Sequence, residues 1–409
     1  MPYRGDNMLN VKRTNRSAVL RLLHEQPGLS RKRLAEQTHL TPAAITKITG
    51  ELILEGLVRE GVSLPSAGAG RREVSLEPDM HARCALGLLL NRGQALLSAV
   101  WLDGSVIFAE EQPMSTPAPA DETLSQLCAR LLQLAGENGL DTAHILGVGV
   151  ALRGITDADG RVARNSFGTL AEQDYPLAER VEALTGLPVV MANNVRALFA
   201  AQMFFSGDQQ HRSQFFLRCE YGIGGALSVN GRIWHGATEQ CSEIGHIPVV
   251  KQNGKLCVCG KRGCLETVAS PTAIREDAEA LLSPERTPLL WDIHAARGGG
   301  SLALDEILEA AEKGDAAVAA LVGRALTALS DALKALIYVI DPEKLVLYGQ
   351  LFDDPWLLDR LREEMKTGMD AGHCVLPEVS PYNHRLENKA APLLMVDAFF
   401  RAGGLPFTG

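Results

Sequence analysis

Residues 243–266 open with Glu243-Ile244-Gly245-His246 and close with Cys257-Val258-Cys259-Gly260-Lys261-Arg262-Gly263-Cys264-Leu265-Glu266. One imidazole and three thiols in so short a span supply the four soft ligands that tetrahedral zinc prefers. With every position filled by protein, such a site is structural and keeps no vacancy for a catalytic water. Gly260 and Gly263 let the chain turn tightly around an ion. An iron–sulfur cluster and a redox thiol pair are the other readings; a single three-Cys knot with a His disfavours the cluster. The other five cysteines, Cys84, Cys128, Cys219, Cys241 and Cys374, are scattered, and burial is expected for them.

Working outward from this knot, the chain from Cys84 onward reads as α/β. Strands are expected at Ala85–Leu90, Ala95–Trp101, Val106–Glu110, Leu146–Leu152, Val189–Ala192, Gln214–Glu220, Gly225–Val229 and Leu345–Tyr348. Helices are expected at Asp121–Glu137, Leu177–Thr185, Val195–Phe205, Pro271–Leu282 and Ala316–Ile340. A strand–strand–strand–helix group occurs twice, which suggests two related lobes with a ligand cleft between them.

The first ~60 residues read differently, as three helices. Ala18, Val19, Leu22 and Leu23 make an apolar stripe on the first, which ends near Gln26-Pro27-Gly28. Ser30 is a good N-cap for a helix from Arg31 to about Thr38, with Leu34 and Ala35 inward. Thr41 caps the third, with Pro42 in its first turn, where a missing N–H costs nothing. Ala44, Ile45, Ile48 and Leu52 then share one face, and Ala43, Thr46, Lys47 and Gly50 point outward. Two short helices joined at His39-Leu40 form a helix-turn-helix. Strands at Leu57–Glu60 and Glu73–Leu76, with a loop over Gly61–Gly70, add a wing that carries Arg71 and Arg72. Those two arginines are placed to meet phosphates or a narrow minor groove. Thr41, Ala43, Thr46 and Lys47 are candidates for base and phosphate contacts, and Arg31, Lys32 and Arg33 for phosphates. The bland reading is a small solvated helical domain.

Composition allows this division. The 409 residues exceed one simple core, and 46% hydrophobic content describes a globular chain. The net charge is −9, yet residues 1–76 hold 12 Lys+Arg against 7 Asp+Glu, a net of +5 on a body of −14. A basic head on an acidic body is expected when one module alone meets phosphates, although local scatter could produce it too. The longest uninterrupted apolar runs, such as Cys84–Leu90 and Leu146–Leu152, fall far short of the ~18–20 residues of a membrane span. No leader is visible in Met1-Pro2-Tyr3-Arg4-Gly5-Asp6-Asn7, so no membrane insertion and a cytoplasmic location are expected.

Taken together, the knot and the α/β body resemble the ROK family, which holds sugar kinases and sugar-operon repressors; the winged head places the chain with the repressor branch. The resemblance covers nearly the whole length. It implies an α/β fold with an actin/hexokinase-like body of two lobes: a head over 1–78, a first lobe over 79–200 joined by a C-terminal helix near 386–409, and a second lobe over 201–385 with the metal site and an oligomer interface. His246, Cys257, Cys259 and Cys264 match the family's zinc ligands. Asn193, Glu243, His246 and Glu266 match positions that bond sugar hydroxyls in the family's kinases, and Gly154 falls where a Pro-Gly turn lines the same pocket, with Arg153 in place of the proline. For Glu243 and Glu266 a supporting place around the metal is the other reading.

The departures point away from catalysis. Asn194 stands where the family's kinases carry the Asp that takes the sugar proton; an amide can hold a hydroxyl but is no general base. The kinase phosphate loop aligns with Leu89-Leu90-Asn91-Arg92-Gly93, without its carboxylate and Gly-Gly pair. A second phosphate turn is half kept in Tyr221-Gly222-Ile223-Gly224-Gly225-Ala226, and a third appears as Tyr348-Gly349-Gln350. The expectation is a repressor without kinase activity, a homodimer or homotetramer on a palindromic double-stranded operator, answering to a sugar or sugar phosphate. A protein regulator in place of the sugar, and a ROK kinase with an added DNA module, are the alternatives.

Overall fold

The computed structural model describes residues 8–64, 73–206, 211–370 and 372–405. In the head, α1 (Met8–Glu25), α2 (Arg31–Thr38) and α3 (Pro42–Leu54) are followed by the hairpin β1 (Val58–Leu64) and β2 (Glu73–Pro78). The caps act as their chemistry dictates: Arg33 N donates to Ser30 Oγ at 3.3 Å and Ala44 N to Thr41 Oγ1 at 3.3 Å. His39 adopts φ 56° between α2 and α3. Leu34, Ile45, Ile48 and Leu52 are buried with Leu57 and Leu76, as the helical spacing required. On α1 the buried stripe is Arg16, Val19, Leu20 and Leu23, whereas Ala18 is exposed. The first wing strand runs longer than expected, because pairing resumes at Ser63↔Val74 beyond an irregularity after Glu60↔Leu76. Gly61–Leu64 is therefore strand rather than loop. Arg71 and Arg72 lie outside the described residues.

The chain divides into two compact units, Met1–Gly207 with Glu387–Gly409, and Asp208–Leu386. The head packs within the first. That unit continues with β3 (Cys84–Asn91), β4 (Gln94–Trp101), β5 (Val106–Pro113), α4 (Ala120–Glu137), β6 (Ile145–Leu152), β7 (Ile155–Thr156), β8 (Ala163–Asn165), α5 (Leu177–Thr185), β9 (Val189–Asn193) and α6 (Asn194–Ser206). Its sheet has the order β5-β4-β3-β6-β9, antiparallel from β3 to β5 and parallel from β3 to β9.

The second unit holds β10 (Ser213–Cys219), β11 (Ile223–Val229), β12 (Arg232–Ile233), α7 (Glu266–Ala269), α8 (Pro271–Leu281), α9 (Pro288–Ala296), α10 (Leu304–Glu312), α11 (Ala316–Ile340), β13 (Lys344–Tyr348), α12 (Pro355–Lys366) and β14 (Glu378–Val379). Its sheet order, β12-β11-β10-β13-β14, repeats the first sheet's pattern of antiparallel meander and parallel extension. This repeat is the duplicated half expected of an actin/hexokinase-like body. Sequence spacing left α9, α10 and α12 unread. By length and composition α11 could cross a membrane, a point the short uninterrupted runs concealed. Here it is a core helix, burying Val318, Leu321, Val322, Leu326, Leu329 and Leu333.

The last helix, α13 (Glu387–Arg401), returns to the first unit and covers β3, β4 and β6. Its Pro392 rests on Gly87 and its Ala391 carbonyl on Gly149; a Cβ at either glycine would overlap the helix. Strand backbone without side chains is what admits so close a cover.

Candidate functional site

One face of α3 is turned to solvent. Thr41, Ala43, Thr46 and Lys47 are exposed, while Thr49, one turn on, is buried and bonded to the Ile45 carbonyl at 2.8 Å. Lys47 makes no hydrogen bond or ion pair with any described residue. Not every candidate is equally free. The Thr41 hydroxyl caps α3, and Thr46 Oγ1 donates to the Pro42 carbonyl at 2.8 Å. Arg31 is half-buried, donating through Nε to Thr49 Oγ1 at 3.0 Å and pairing with Glu60 at 2.8 Å. Lys32 and Arg33 are exposed, with carboxylates no nearer than Glu73 at 3.6 Å and Glu36 at 4.0 Å.

In the first unit, the structure brings Gly154, Asn193 and Asn194 together at the carboxyl ends of β6 and β9, the usual place for ligands in such sheets. Asn193 Nδ2 donates to the Gly154 carbonyl at 2.8 Å, and its Oδ1 accepts from Val195 N at 2.8 Å, starting α6. Asn194 is 3% exposed, and its Nδ2 donates to Asn91 Oδ1 at 3.2 Å. Two neutral amides thus face each other, Asn194 at the position where the family's kinases carry a catalytic carboxylate and Asn91 within the stretch that aligns with their phosphate loop. This pair can orient a hydroxyl, and neither member can take its proton.

Glu243, His246 and Glu266 belong to the second unit. The nitrogen and sulfur atoms of His246, Cys257, Cys259 and Cys264 all lie within 4.8 Å of one another. His246 Nδ1 is 3.4 Å from Cys257 Sγ, and Cys259 Sγ is 3.6 Å from Cys264 Sγ. Zinc–sulfur bonds of about 2.3 Å make tetrahedron edges of about 3.8 Å, so the donor set and its span fit that ion. The knuckle is shaped by backbone bonds, Gly260 N to the Cys257 carbonyl at 2.9 Å and Cys257 N to the Lys261 carbonyl at 2.8 Å. Glu266 opens α7 and accepts from Cys257 Sγ at 2.9 Å, while Glu243 Oε2 lies 3.8 Å from the other ring nitrogen of His246. A carboxylate beside the second imidazole nitrogen is how metal-binding histidines are usually oriented. Elsewhere burial pushes the Cys84 and Cys128 thiols up to about 11, which keeps them protonated. Cys219 is buried as well, while Cys241 and Cys374 are half-buried, short of the burial expected.

The third phosphate turn is closed from within. Gly349 N donates to Asn383 Oδ1 at 2.6 Å and Gln350 N to Glu220 Oε1 at 2.8 Å. The amides that a phosphate would seek already hold acceptors, one of them anionic. Sequence reasoning missed Glu220 and Asn383, since nothing in their spacing from residue 349 foretells the contact.

The ROK family model matches residues 93–393 of this chain, well over half of it. The chain belongs to the ROK family. A winged helix-turn-helix DNA-binding model matches residues 12–59 of the same ROK chain. Among curated relatives, the DNA-binding transcriptional dual regulator NagC of Escherichia coli K12 is 29% identical over 383 residues, covering 92% of this chain and 90% of that protein. The DNA-binding transcriptional repressor Mlc of the same strain is 26% identical over 341 residues, covering 83% and 82%. Among solved structures, a ROK family transcriptional regulator described as a homolog of E. coli Mlc superposes with a TM-score of 0.80 at 23% identity, covering 97% of this chain and 98% of that one. This last likeness establishes the fold of the ROK chain over nearly its whole length, head included.

Proposed function

We propose that this ROK protein is a DNA-binding transcriptional repressor of sugar metabolism or transport genes, controlled by a sugar or sugar phosphate and without kinase activity. The observation that carries the reading is the Asn194–Asn91 amide pair, which keeps hydroxyl-binding chemistry where catalysis needs a proton-accepting carboxylate, next to a phosphate loop whose carboxylate position is Leu89. The winged head and its likeness to NagC and Mlc supply the output. Gly154, Asn193 and Asn194 are assigned to sugar hydroxyls, as are Glu243, His246 and Glu266. Zinc on His246, Cys257, Cys259 and Cys264 holds the segment that carries the second group; its chemistry there is structural.

DNA is read by Thr46 and Lys47 with Thr41 and Ala43, in a two-fold homodimer or homotetramer that places two heads in successive major grooves. Arg31, Lys32 and Arg33 are assigned to phosphates, and Arg71 and Arg72 of the wing likewise. Sugar releases DNA by linkage if the DNA-competent arrangement binds it less well. Cytoplasmic location follows from this role.

The test is a titration of a duplex selected by the protein, with and without each member of a sugar and sugar-phosphate panel. One ligand should weaken binding, and a coupled assay with that ligand and ATP should show no turnover above background. Turnover would restore the kinase reading. Operator affinity indifferent to every sugar would move control to a protein partner.

A further inference from the structure

Helix α6 begins at the pocket, with Asn194 as its first residue, and ends at Ser206. At ~1.5 Å per residue it is a rod of about 20 Å. Near its far end the Phe204 ring stands 4.9 Å from the His24 imidazole of α1 and 6.4 Å from Phe400 of α13, and His24 is 5.2 Å from Phe400. Three elements, one from the pocket, one from the head and one from the chain's last helix, thus meet in a single aromatic stack.

Eight residues before His24 on α1 lies Arg16, whose side chain is 0% exposed. Its guanidinium is divided among three partners: Nε donates to the Gly403 carbonyl at 2.8 Å, Nη1 to Glu51 Oε2 at 2.8 Å and Nη2 to Glu55 Oε2 at 2.6 Å. Glu51 lies on α3 and Glu55 is its C-cap, so the DNA-reading helix is tied to the segment just past α13 through one buried cation. Gly403 has φ 71°, and a Cβ there would come within 2.6 Å of the Arg16 Cβ, so the backbone passes the arginine as closely as glycine permits. A second tie joins Arg21 of α1 to Asp397 of α13 at 2.6 Å. A buried guanidinium is tolerated only when it is fully bonded. Because these bonds reach separate elements in fixed directions, they set a position rather than add one contact.

We propose that Arg16 is a positioning residue for DNA reading, and that α6 carries the effect of ligand at Gly154, Asn193 and Asn194 to this joint through Phe204. The first half concerns the head alone; the second rests on the sugar-responsive reading above. α6 also packs along α13, and α13 on the strands that end at the pocket, so a shift at either end of the rod is met by packed neighbours with discrete arrangements. The ligand's unequal affinity for those arrangements is what reaches α3.

The experiment uses the full chain and two duplexes of equal length, one enriched by the wild-type protein from a random pool and one scrambled. Arg16→Lys keeps the charge but loses the directed fork. It should cut the preference for the enriched duplex about 10-fold or more, while affinity for the scrambled duplex moves less than about 2-fold. A folded Arg16→Lys protein with wild-type preference overturns the first half. Should that variant not fold, Glu55→Gln replaces it, with about a 3-fold loss of preference expected and an unchanged preference counting against the joint. Phe204→Leu tests the second half. It should keep the sugar-induced rise in melting temperature yet lose most of the fold-change that the same sugar produces in duplex affinity; an unchanged response overturns the role of α6. A wild-type protein that binds no sugar defeats the sugar-responsive reading and the second half with it, while Arg16→Lys still decides the first.

Discussion

Charge counted along the head overstates what DNA would meet. Of the basic residues in the first 76, Arg16 is wholly buried, Lys12 shares Glu51 with it, Arg31 is tied to Thr49 and Glu60, and Arg59 lies on Glu77. The Lys12 ammonium, ahead of the Arg16 guanidinium, holds the Glu51 carboxyl below its ordinary range, a sign that this charge serves the head's own packing. Lys47 is different, exposed on the reading face and without a partner among the described residues. Lys47→Ala should weaken binding to all duplexes alike and lower the slope of log affinity against log salt by about one, as anisotropy titrations at several salt concentrations would record. An unchanged slope would place the helix elsewhere on the duplex.

His24 adds a pH term. Burial is the main cause that lowers its pKa, Arg21 adding to it and Asp103 opposing, and its Nδ1 has no hydrogen-bond partner among the described residues. A histidine whose folded pKa is depressed stabilises fully above its unfolded pKa of about 6.5, and that contribution is lost as pH falls toward the folded value. Urea midpoints should therefore drop between pH 7.5 and pH 5.5, and His24→Asn should flatten the drop. Equal pH dependence in the two proteins would exclude His24 as its source. Residue identity foretold the cluster of His246, Cys257, Cys259 and Cys264 and the exposure of Thr46 and Lys47 on α3. It could not tell that Arg16 is an interior residue, because its partners Glu51, Glu55 and Gly403 are brought to it only by tertiary packing.

At the scale of elements, what was legible followed from strong periodicity or explicit punctuation. Ser30, Thr41 and Pro42 fixed the starts of α2 and α3, and the apolar rows of α5 and α11 fixed both of their ends. Leu304, Ile307, Leu308 and Ala311 hold helical spacing in α10, a signal that was present; only nine residues and a glycine-rich approach hid it. The wing's length was not legible, since its pairing resumes after an irregularity that no turn residue announces. The His–Cys cluster was plain in its spacing, while the placement of Glu243 and Glu266 beside it was legible only in the distances. A structural zinc contributes several kcal/mol to folding, and domains of this size shift about 2–4 °C per kcal/mol. Removing the metal with a strong chelator should thus lower the melting temperature by at least about 5 °C, and metal analysis before treatment should find one zinc per chain. A metal-free preparation with the same melting curve would leave the four residues a thiol cluster and nothing more.

For the whole molecule, the two units share one strand pattern, with Gly154, Asn193 and Asn194 in the first and Glu243, His246 and Glu266 in the second. Departures from the kinase pattern occur in both units. In one unit Asn194 and Leu89 stand where the family's kinases carry carboxylates, and in the other Glu220 and Asn383 occupy the amides of a phosphate turn. Asn194→Asp should consequently restore no measurable sugar-dependent ATP turnover in a coupled assay, because a base without bound phosphates has nothing to transfer. Turnover in that single variant would show the phosphate groups to be intact after all.

The first unit is discontinuous in sequence: its sheet is capped by α13, and the buried arginine of its first helix finds an acceptor only at Gly403. During synthesis Arg16 emerges long before Gly403 and the helix α13 that covers the sheet. An interrupted polypeptide ending anywhere before α13 would carry a head with its anchor missing and a sheet with one bare face, a ready target for proteases rather than a competitor at the operator.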